Sequence, residues 1–406
     1  MKTQRHHKIM KLISTDGFVR VSVLANYLKV TKETIRSDLN ELFKKGLLHR
    51  CHGGAYMDIN SLDCVTRNEI IHVLESESSY DVIERGYSTM KNKVCVLGSF
   101  NVDIISYLPR LPNAGESLLS DRIIFSPGGK GCNQALASSY ADANVSFITK
   151  IGSDHFSEYA SSFINASLIE NPVIYKSSEV QTGTATIFVD EKTGENMIAI
   201  FPGSNMTISQ EEVLLQKDVI AHANIILLQL ESNVDALQWT IKIAHEYHVP
   251  VIINPAPYNE CINQFLDGLD YLTPNETEAG LLTGIQVTDT ASAMAAAEVI
   301  YHRGVKNVVI TLGRKGSVAF DGSRYIFSPA FPAVVSNTAG AGDAFNGALA
   351  SELARGHSLE NALIYASAFA SLAVETPNAS DMPDNQAVLH RINTTHYRQS
   401  ISYYKK

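Results

Sequence analysis

"NTAGAGDAFNGAL", Asn337 to Leu349, sets three glycines and four alanines around one acid, Asp343, and then runs into an apolar helical pattern. Two readings are open for it. An acid near a first helical turn complements exposed N–H groups and the helix dipole, which makes the stretch a helix start. Glycines also let backbone N–H groups approach a phosphate while the acid handles a proton nearby, which makes it an anion site. The choice depends on what surrounds the stretch.

Working outward, from Lys93 onward short apolar runs alternate with helical segments. "KVCVLGS", "VSFITKIG", "NIILLQLE", "VPVIINPAP", "LDYLTPNE" and "NVVITLG" read as buried parallel strands. Helices are expected at 131–141, 235–247 and 291–303, then at 341–355 and 359–374. This alternation predicts an α/β fold: a doubly wound, mostly parallel sheet covered on both faces, with its ligand crevice at the carboxyl ends of the strands. Two segments, about 101–126 and 173–202, instead alternate apolar and polar residues around turns. They predict a small half-exposed β-sheet that closes as a lid, whose open face suits pairing with a second copy in a homodimer.

A chain of 406 residues is too long for one ordinary core, and 45% hydrophobic residues suit a globular protein. No run approaches the roughly 18 apolar residues a membrane helix needs, and no apolar signal core follows the basic amino terminus. The five cysteines form no CxxC pair, so a reduced, cytoplasmic setting is expected.

Charge divides the chain. Residues 1–56 carry 11 Lys and Arg against 4 Asp and Glu, whereas the remainder carries 22 against 38. A basic head on an acidic body suits a nucleic-acid-binding module joined to something else. Ile9, Leu12 and Ile13 share a helical face, a turn falls at Asp16–Gly17, and a short helix places Val23, Leu24 and Leu28 inward. Thr31 caps a further helix, "TKETIRSDLNELFKKG", with Ile35, Leu39, Leu42 and Phe43 inward and Lys32, Thr34 and Arg36 outward. Such a helix presents cations and hydroxyls to a major groove, and "LLHRCHGGAY" reads as a two-stranded wing where Arg50 and His52 meet phosphates. Residues 57–91 read as a linker.

The segment "VRVSVLANYLKVTKETIRSDLNELFKKGLLHRCHGGAY" resembles the DeoR-type winged helix–turn–helix of bacterial sugar-responsive repressors, with Ser37 where the family usually has a second arginine. Residues 92–390 resemble a ribokinase-type sugar kinase: "GSFNVD", "PGGKGCNQA", "QLES", "NPAP", "TPNETEA", "TLGRKG" and "NTAGAGDAFNGAL" occur in family order. The resemblance implies ATP-dependent phosphorylation of a pentose, D-ribose at its 5-hydroxyl, coupled by the head to operator DNA and to control of sugar-utilisation genes. It assigns Asp343 as the base, with Gly340, Ala341 and Gly342 cradling phosphate. Asn101, Asp103, Gly129, Lys130, Gly131, Asn133 and Glu231 would hold the sugar. Asn275, the run Thr311, Leu312, Gly313, Arg314, Lys315 and Gly316, and Ser367 would hold ATP.

By the same resemblance Glu278 organises magnesium through water, and a potassium ion has ligands at Asn337, Ala339, Ala373, Thr376 and Asn378. Here the chain departs from the pattern: Asn337 replaces an aspartate, Asn378 a glycine, and Met382 a hydroxyl residue. The lost carboxylate should weaken the cation site. Three alternatives stay open: a repressor whose kinase fold only senses sugar, a kinase for deoxyribose or another sugar, and a kinase whose head no longer binds DNA.

Overall fold

The computed structural model describes residues 92–395 and 402–405, together with residues 5, 6, 9, 18–20, 24, 25, 28, 30–44, 48–51 and 54–56 nearer the amino terminus. The chain divides into two compact units, Met1–Met90 and Lys91–Lys406.

In the first unit the helix Lys32–Lys44 buries Ile35, Leu39 and Leu42. Thr31 caps it, its Oγ1 accepting from the Thr34 N–H at 3.2 Å. Phe43, expected inward, is 49% exposed, because the inward stripe follows a spacing of three and four residues that passes through Leu39 and Leu42. Asp38 takes the remaining inward position, buried between Arg5 and His6; the Arg5 NH2 group donates to Oδ1 at 3.1 Å. The wing gains a strand over the two expected: Phe18–Arg20 pairs antiparallel with Gly54–Tyr56, which pairs in turn with His49–Cys51. Phe18 and Val19 are good strand formers and extend this sheet. The Asp16–Gly17 turn, Leu12, Ile13, Val23, His52 and the linker 57–91 lie outside the described residues.

The second unit is built on a sheet in which seven neighbouring strands run parallel, in the order Asn307–Thr311, Tyr271–Leu272, Val251–Asn254, Ile225–Gln229, Lys93–Leu97, Asn144–Ile151 and Asn171–Lys176. Ser317–Phe320, Arg324–Ser328 and Ser402–Lys405 extend one edge antiparallel. The parallel strands are buried on both faces, as their continuous apolar runs require. Helices Lys130–Tyr140, Val234–Glu246, Thr290–His302, Ala341–Ala354 and Leu359–Ala373 match the expected helical segments to within one or two residues.

After Lys93–Leu97 the chain moves outward to Asn144–Ile151 and Asn171–Lys176, then returns to place Ile225–Gln229 on the other side of Lys93–Leu97. The order reverses at that point, which is where an open α/β sheet places its ligand crevice, outside the carboxyl ends of its strands.

A second sheet of four strands, in the order Asn196–Phe201, Gly183–Asp190, Asn101–Leu108 and Arg122–Gly128, forms the lid. Its second segment begins at Gly183, not near 173 as expected. Helix His155–Ala166 returns the chain so that Asn171–Lys176 pairs parallel with Asn144–Ile151 in the main sheet. Among the described residues, no helix is long and apolar enough to cross a membrane, and Cys95, Cys132 and Cys261 are free thiols.

Candidate active site

Asp343 sits in the first turn of helix Ala341–Ala354 and is only 5% exposed. Gly340 precedes that helix in the left-handed conformation (φ +77°), and a Cβ there would lie 2.6 Å from the Ala379 carbonyl oxygen, so only glycine fits this turn. The first N–H groups of a helix lack partners within it and, with the dipole, favour an anion. Gly342 beside them faces open space, where a Cβ would touch nothing within 4 Å. The stretch therefore starts a helix, and Gly340 and Gly342 line a cavity in front of it, while the Ala341 N–H donates to the Thr338 carbonyl at 3.3 Å.

That cavity, of about 220 Å3, is lined by Asp343, Gly340, Gly342 and Asn346 from this helix start. Lys130, Glu278, Asn275 and Thr311 line it from the other side, together with Asn254, Ala256, Thr273 and Thr338. Asn254, Thr273 and Asn346 were missed in the sequence. The signal available for Asn254 was its place at the carboxyl end of a buried strand, within the quoted "NPAP". The Thr273 hydroxyl donates to Asn346 Oδ1 at 2.6 Å, and the Asn346 amide donates to the Gly342 carbonyl at 2.8 Å, which ties the anion turn to the sheet.

On the sugar side, Lys130 begins helix Lys130–Tyr140 after Gly129 (φ +89°). Glu231, just past Ile225–Gln229, accepts from the Lys130 N–H at 2.9 Å and from the Ser99 hydroxyl, so it bridges the two central strand ends. Gly131 packs against that junction, its N–H donating to Ser99 Oγ at 3.3 Å. Asn133 donates to Asp343 Oδ2 at 3.3 Å. Asn101 is buried, and its Oδ1 accepts from Asn205 at 2.8 Å, so this oxygen is already committed inside the protein. Asp103 stands two residues on in the same lid strand, Asn101–Leu108; burial, then the charges of Glu231 and Asp343, push its carboxyl up to about 7. The Lys130 ammonium is held above its usual range chiefly by Asp343, against burial, with help from Glu231 and Glu278.

The Asp103 shift has a measurable sign. Its folded pKa lies above the unfolded one, so this group's contribution to stability is present below about pH 4 and is lost as pH rises through about 7. Asp103→Asn is expected to flatten the fall in melting temperature across that window, read by thermal scans between pH 4 and pH 8. If the slope is unchanged, Asp103 does not titrate there.

Asn275 caps helix Glu276–Thr283 in a reciprocal box: its Oδ1 accepts from the Glu278 N–H at 2.8 Å, and Glu278 Oε2 accepts from the Asn275 N–H at 2.9 Å. Glu278 is buried, and burial raises its carboxyl, a cost that a cation alongside would offset. Among the described residues no cluster of three or more His, Cys, Asp or Glu is placed to hold a metal. A buried carboxylate such as Glu278 in this cavity suits magnesium, which binds through one or two carboxylates and keeps waters and phosphate oxygens as its other ligands.

Of the run Thr311–Gly316, which begins at the end of strand Asn307–Thr311, Thr311 lines the cavity. Leu312 is 1% exposed in the core, and its N–H donates to the Gly316 carbonyl at 2.7 Å. Gly313 and Arg314 are exposed, and the Lys315 ammonium donates to the Thr288 carbonyl at 2.5 Å. Ser367 is buried within helix Leu359–Ala373 and does not line the cavity.

The candidate potassium ligands lie on the loop before helix Ala341–Ala354 (Asn337, Ala339) and at the end of helix Leu359–Ala373 and just after it (Ala373, Thr376, Asn378), segments that the fold brings together. The Asn337 amide donates to the Pro377 carbonyl at 2.9 Å, and its Oδ1 accepts from the Ala339 N–H at 2.9 Å. The first bond requires a donor, so the asparagine supplies a link that a carboxylate lacks. The Thr376 hydroxyl lies within 2.7 Å of the Ala373 carbonyl, 3.3 Å of Asn378 O and 3.2 Å of Asp381 O. Of the candidate ligands, the Thr376 hydroxyl and the Ala373 and Asn378 carbonyls thus lie close together, oxygens of the kind a monovalent cation takes.

A buried carboxylate at a helix start, sharing a cavity with a lysine and a second carboxylate, is an arrangement suited to phosphoryl transfer to an alcohol. Residues 91–386 match the profile of the pfkB family carbohydrate kinases, and residues 5–60 match a DeoR-like helix-turn-helix domain. A ribokinase of Staphylococcus aureus is 36% identical over 292 residues, covering 71% of this chain and 96% of its own. The bifunctional ribokinase/ribose-5-phosphate isomerase A of Fructilactobacillus sanfranciscensis is 38% identical, covering 74% of this chain; this chain spans only 56% of that longer one. Among solved structures, an Arabidopsis thaliana ribokinase complexed with ribose and ATP superposes with a TM-score of 0.70 at 30% identity, covering 75% of this chain and 100% of its own. The chain belongs to the pfkB family of carbohydrate kinases: it is an ATP-dependent sugar phosphotransferase with a DeoR-like helix-turn-helix domain at its amino end.

Proposed function

We propose that this chain phosphorylates D-ribose at its 5-hydroxyl and that its head binds operator DNA, so that sugar use and transcription of sugar-utilisation genes meet in one cytoplasmic protein. The observation that carries the enzymatic half is Asp343, buried at the amino end of its helix with Lys130, Asp103 and Glu231 around it. Asp103 and Glu231 accept sugar hydroxyls, Lys130 offsets their charge, and Asp343 takes the proton of the attacking hydroxyl. The N–H groups of Gly340, Ala341 and Gly342 receive the phosphoryl oxygens. Glu278, with Asn275, would hold magnesium, which neutralises phosphate charge when bound. The Asn337, Ala339, Ala373, Thr376 and Asn378 oxygens would hold potassium, more weakly than a site with a carboxylate.

A coupled assay of ADP release over ribose, deoxyribose and other pentoses, with and without potassium, tests this reading. Ribose is expected to give the highest kcat/KM; no release above background with any pentose overturns the enzymatic half. The similarity to a Salmonella typhi deoxyribokinase, 31% identical over 282 residues, keeps deoxyribose as the competing substrate. The changed cation site favours a second reading, a repressor that senses sugar without turnover. Release of operator DNA by sugar, with no ADP formed, would select it.

For the head, Lys32 and Arg36 are exposed on the helix that Thr31 caps, with Thr34 between them. Arg36→Ala is expected to weaken operator binding and lower the slope of log affinity against log salt by about one. An unchanged slope removes Arg36 from the phosphate contacts. The lid exposes Ile123, Phe125, Ile198 and Ile200, each about half accessible, which supports pairing with a second copy. Light scattering that shows a monomer at micromolar concentration would refute that dimer.

A further inference from the structure

We propose that Gln134 is a positioning residue for phosphoryl transfer: its side-chain amide holds the Asp343 carboxylate in place, and Gln229 holds Gln134. This rests on the reading of Asp343 as the base.

Gln134 lies in helix Lys130–Tyr140 and is fully buried. Its Nε2 donates to Asp343 Oδ1 at 2.9 Å and to Asn254 Oδ1 at 3.1 Å. Its Oε1 accepts from Gln229 Nε2 at 2.7 Å. Both amide protons have acceptors and the oxygen has a donor, so the amide has a single sense; turned over, it would set its oxygen against two others. Asn254 is fixed in turn by donating to the Thr273 carbonyl at 3.0 Å. Gln229 is wedged in place because Gly98 lacks a side chain: a Cβ there would lie 2.1 Å from Gln229 Oε1. The three amides come from one helix and the ends of two adjacent strands, so the scaffold itself aims a donor at the carboxylate.

A terminal carboxylate torsion is broad, so a short side chain like that of Asp343 needs an external constraint to hold one orientation. Each carboxylate oxygen has two lone-pair directions, and the Gln134 bond uses one on Oδ1, leaving capacity for the incoming hydroxyl. Sequence reading passed over Gln134, although it lies inside "PGGKGCNQA", because a glutamine in a helix carries no chemistry of its own. Its role exists only where helix Lys130–Tyr140 meets helix Ala341–Ala354.

The test compares Gln134→Leu, Gln229→Leu, the double variant and Asp343→Asn in the full-length protein, with melting temperature measured for each. Gln134→Leu is expected to lower kcat roughly 10- to 100-fold, the size of one hydrogen bond to a charged group, with KM for sugar and ATP held within about threefold. Gln229→Leu is expected to cost less, roughly 3- to 10-fold, and to add nothing in the Gln134→Leu background, because it acts through Gln134. Parental kcat in a folded Gln134→Leu protein overturns the proposal, and so do additive losses in the double variant. If Gln134→Leu fails to fold, Gln229→Leu decides alone, since unchanged kcat there breaks the chain of amides. An active Asp343→Asn protein would instead overturn the reading of the base, which separates the two failures.

Discussion

Asp343→Asn is expected to lower kcat by roughly 10²- to 10⁴-fold, the usual worth of a positioned general base, while KM for sugar and ATP changes little. The substitution keeps the shape of the side chain and removes its capacity to take a proton. It also alters the hydrogen bonds beneath it. In the parent both oxygens accept, one from Gln134 and the other from Asn133. An asparagine can face only one of those donors with its oxygen, so its amide meets the other donor head-on. That mismatch at a buried site is expected to cost about 1–3 kcal/mol of stability, seen as a lower melting temperature in a protein that still folds. Single-turnover kinetics with ATP and ribose measure the first effect, and calorimetry the second. A variant that retains kcat within about threefold of the parent would remove Asp343 from the chemistry.

Lys130→Met carries the next largest effect. The ammonium sits among Asp343, Glu231 and Glu278, and Asp343 does most to hold its proton. Without it, these carboxylates lose the positive charge that, among the described residues, offsets them. The Glu278 carboxyl, already raised by burial and lowered by Lys130, rises further once the ammonium is gone. The expected result is a loss in kcat of roughly 10²- to 10³-fold, comparable to removing one preorganised charge-stabilising donor. Because the neighbouring carboxylates then bind protons more readily, the acid limb of the pH–rate profile is expected to move toward higher pH. A profile that keeps its acid limb, with kcat undiminished, would place Lys130 at the surface of the reaction and not within it.

The alternation of apolar strands and helices in 93–374 was legible because a parallel sheet buried on both faces demands continuous apolar runs, and few other folds do. Asp343 stood out in the sequence as the one acid at a glycine turn before an apolar helix, with two readings open, whereas Lys130, Asp103 and Glu231 were singled out by motifs that occur in family order. Leu312 and Lys315 show the limit of motif reading. Within "TLGRKG" the sequence cannot separate a residue facing nucleotide from one that closes the turn toward Ser317–Phe320. Asn171–Lys176 shows another limit: its half-buried pattern suits a lid strand as well as a sheet edge, and only the returning helix before it decides.

The sequence by itself determined which segments are strands and helices, where the basic head ends and the acidic body begins, and which acid stands at the glycine turn. Each of these follows from interactions among residues close in the chain: turn geometry, hydrophobic period and local charge. Only the tertiary structure decided that Gln134, Gln229 and Asn254 converge beneath Asp343, that Asn101 is engaged by Asn205, and that Asn337 ties two loops together. Those contacts join residues 40 to 209 positions apart, and a polar side chain's partner at such separation is set by where the sheet reverses its order, a property of the whole fold.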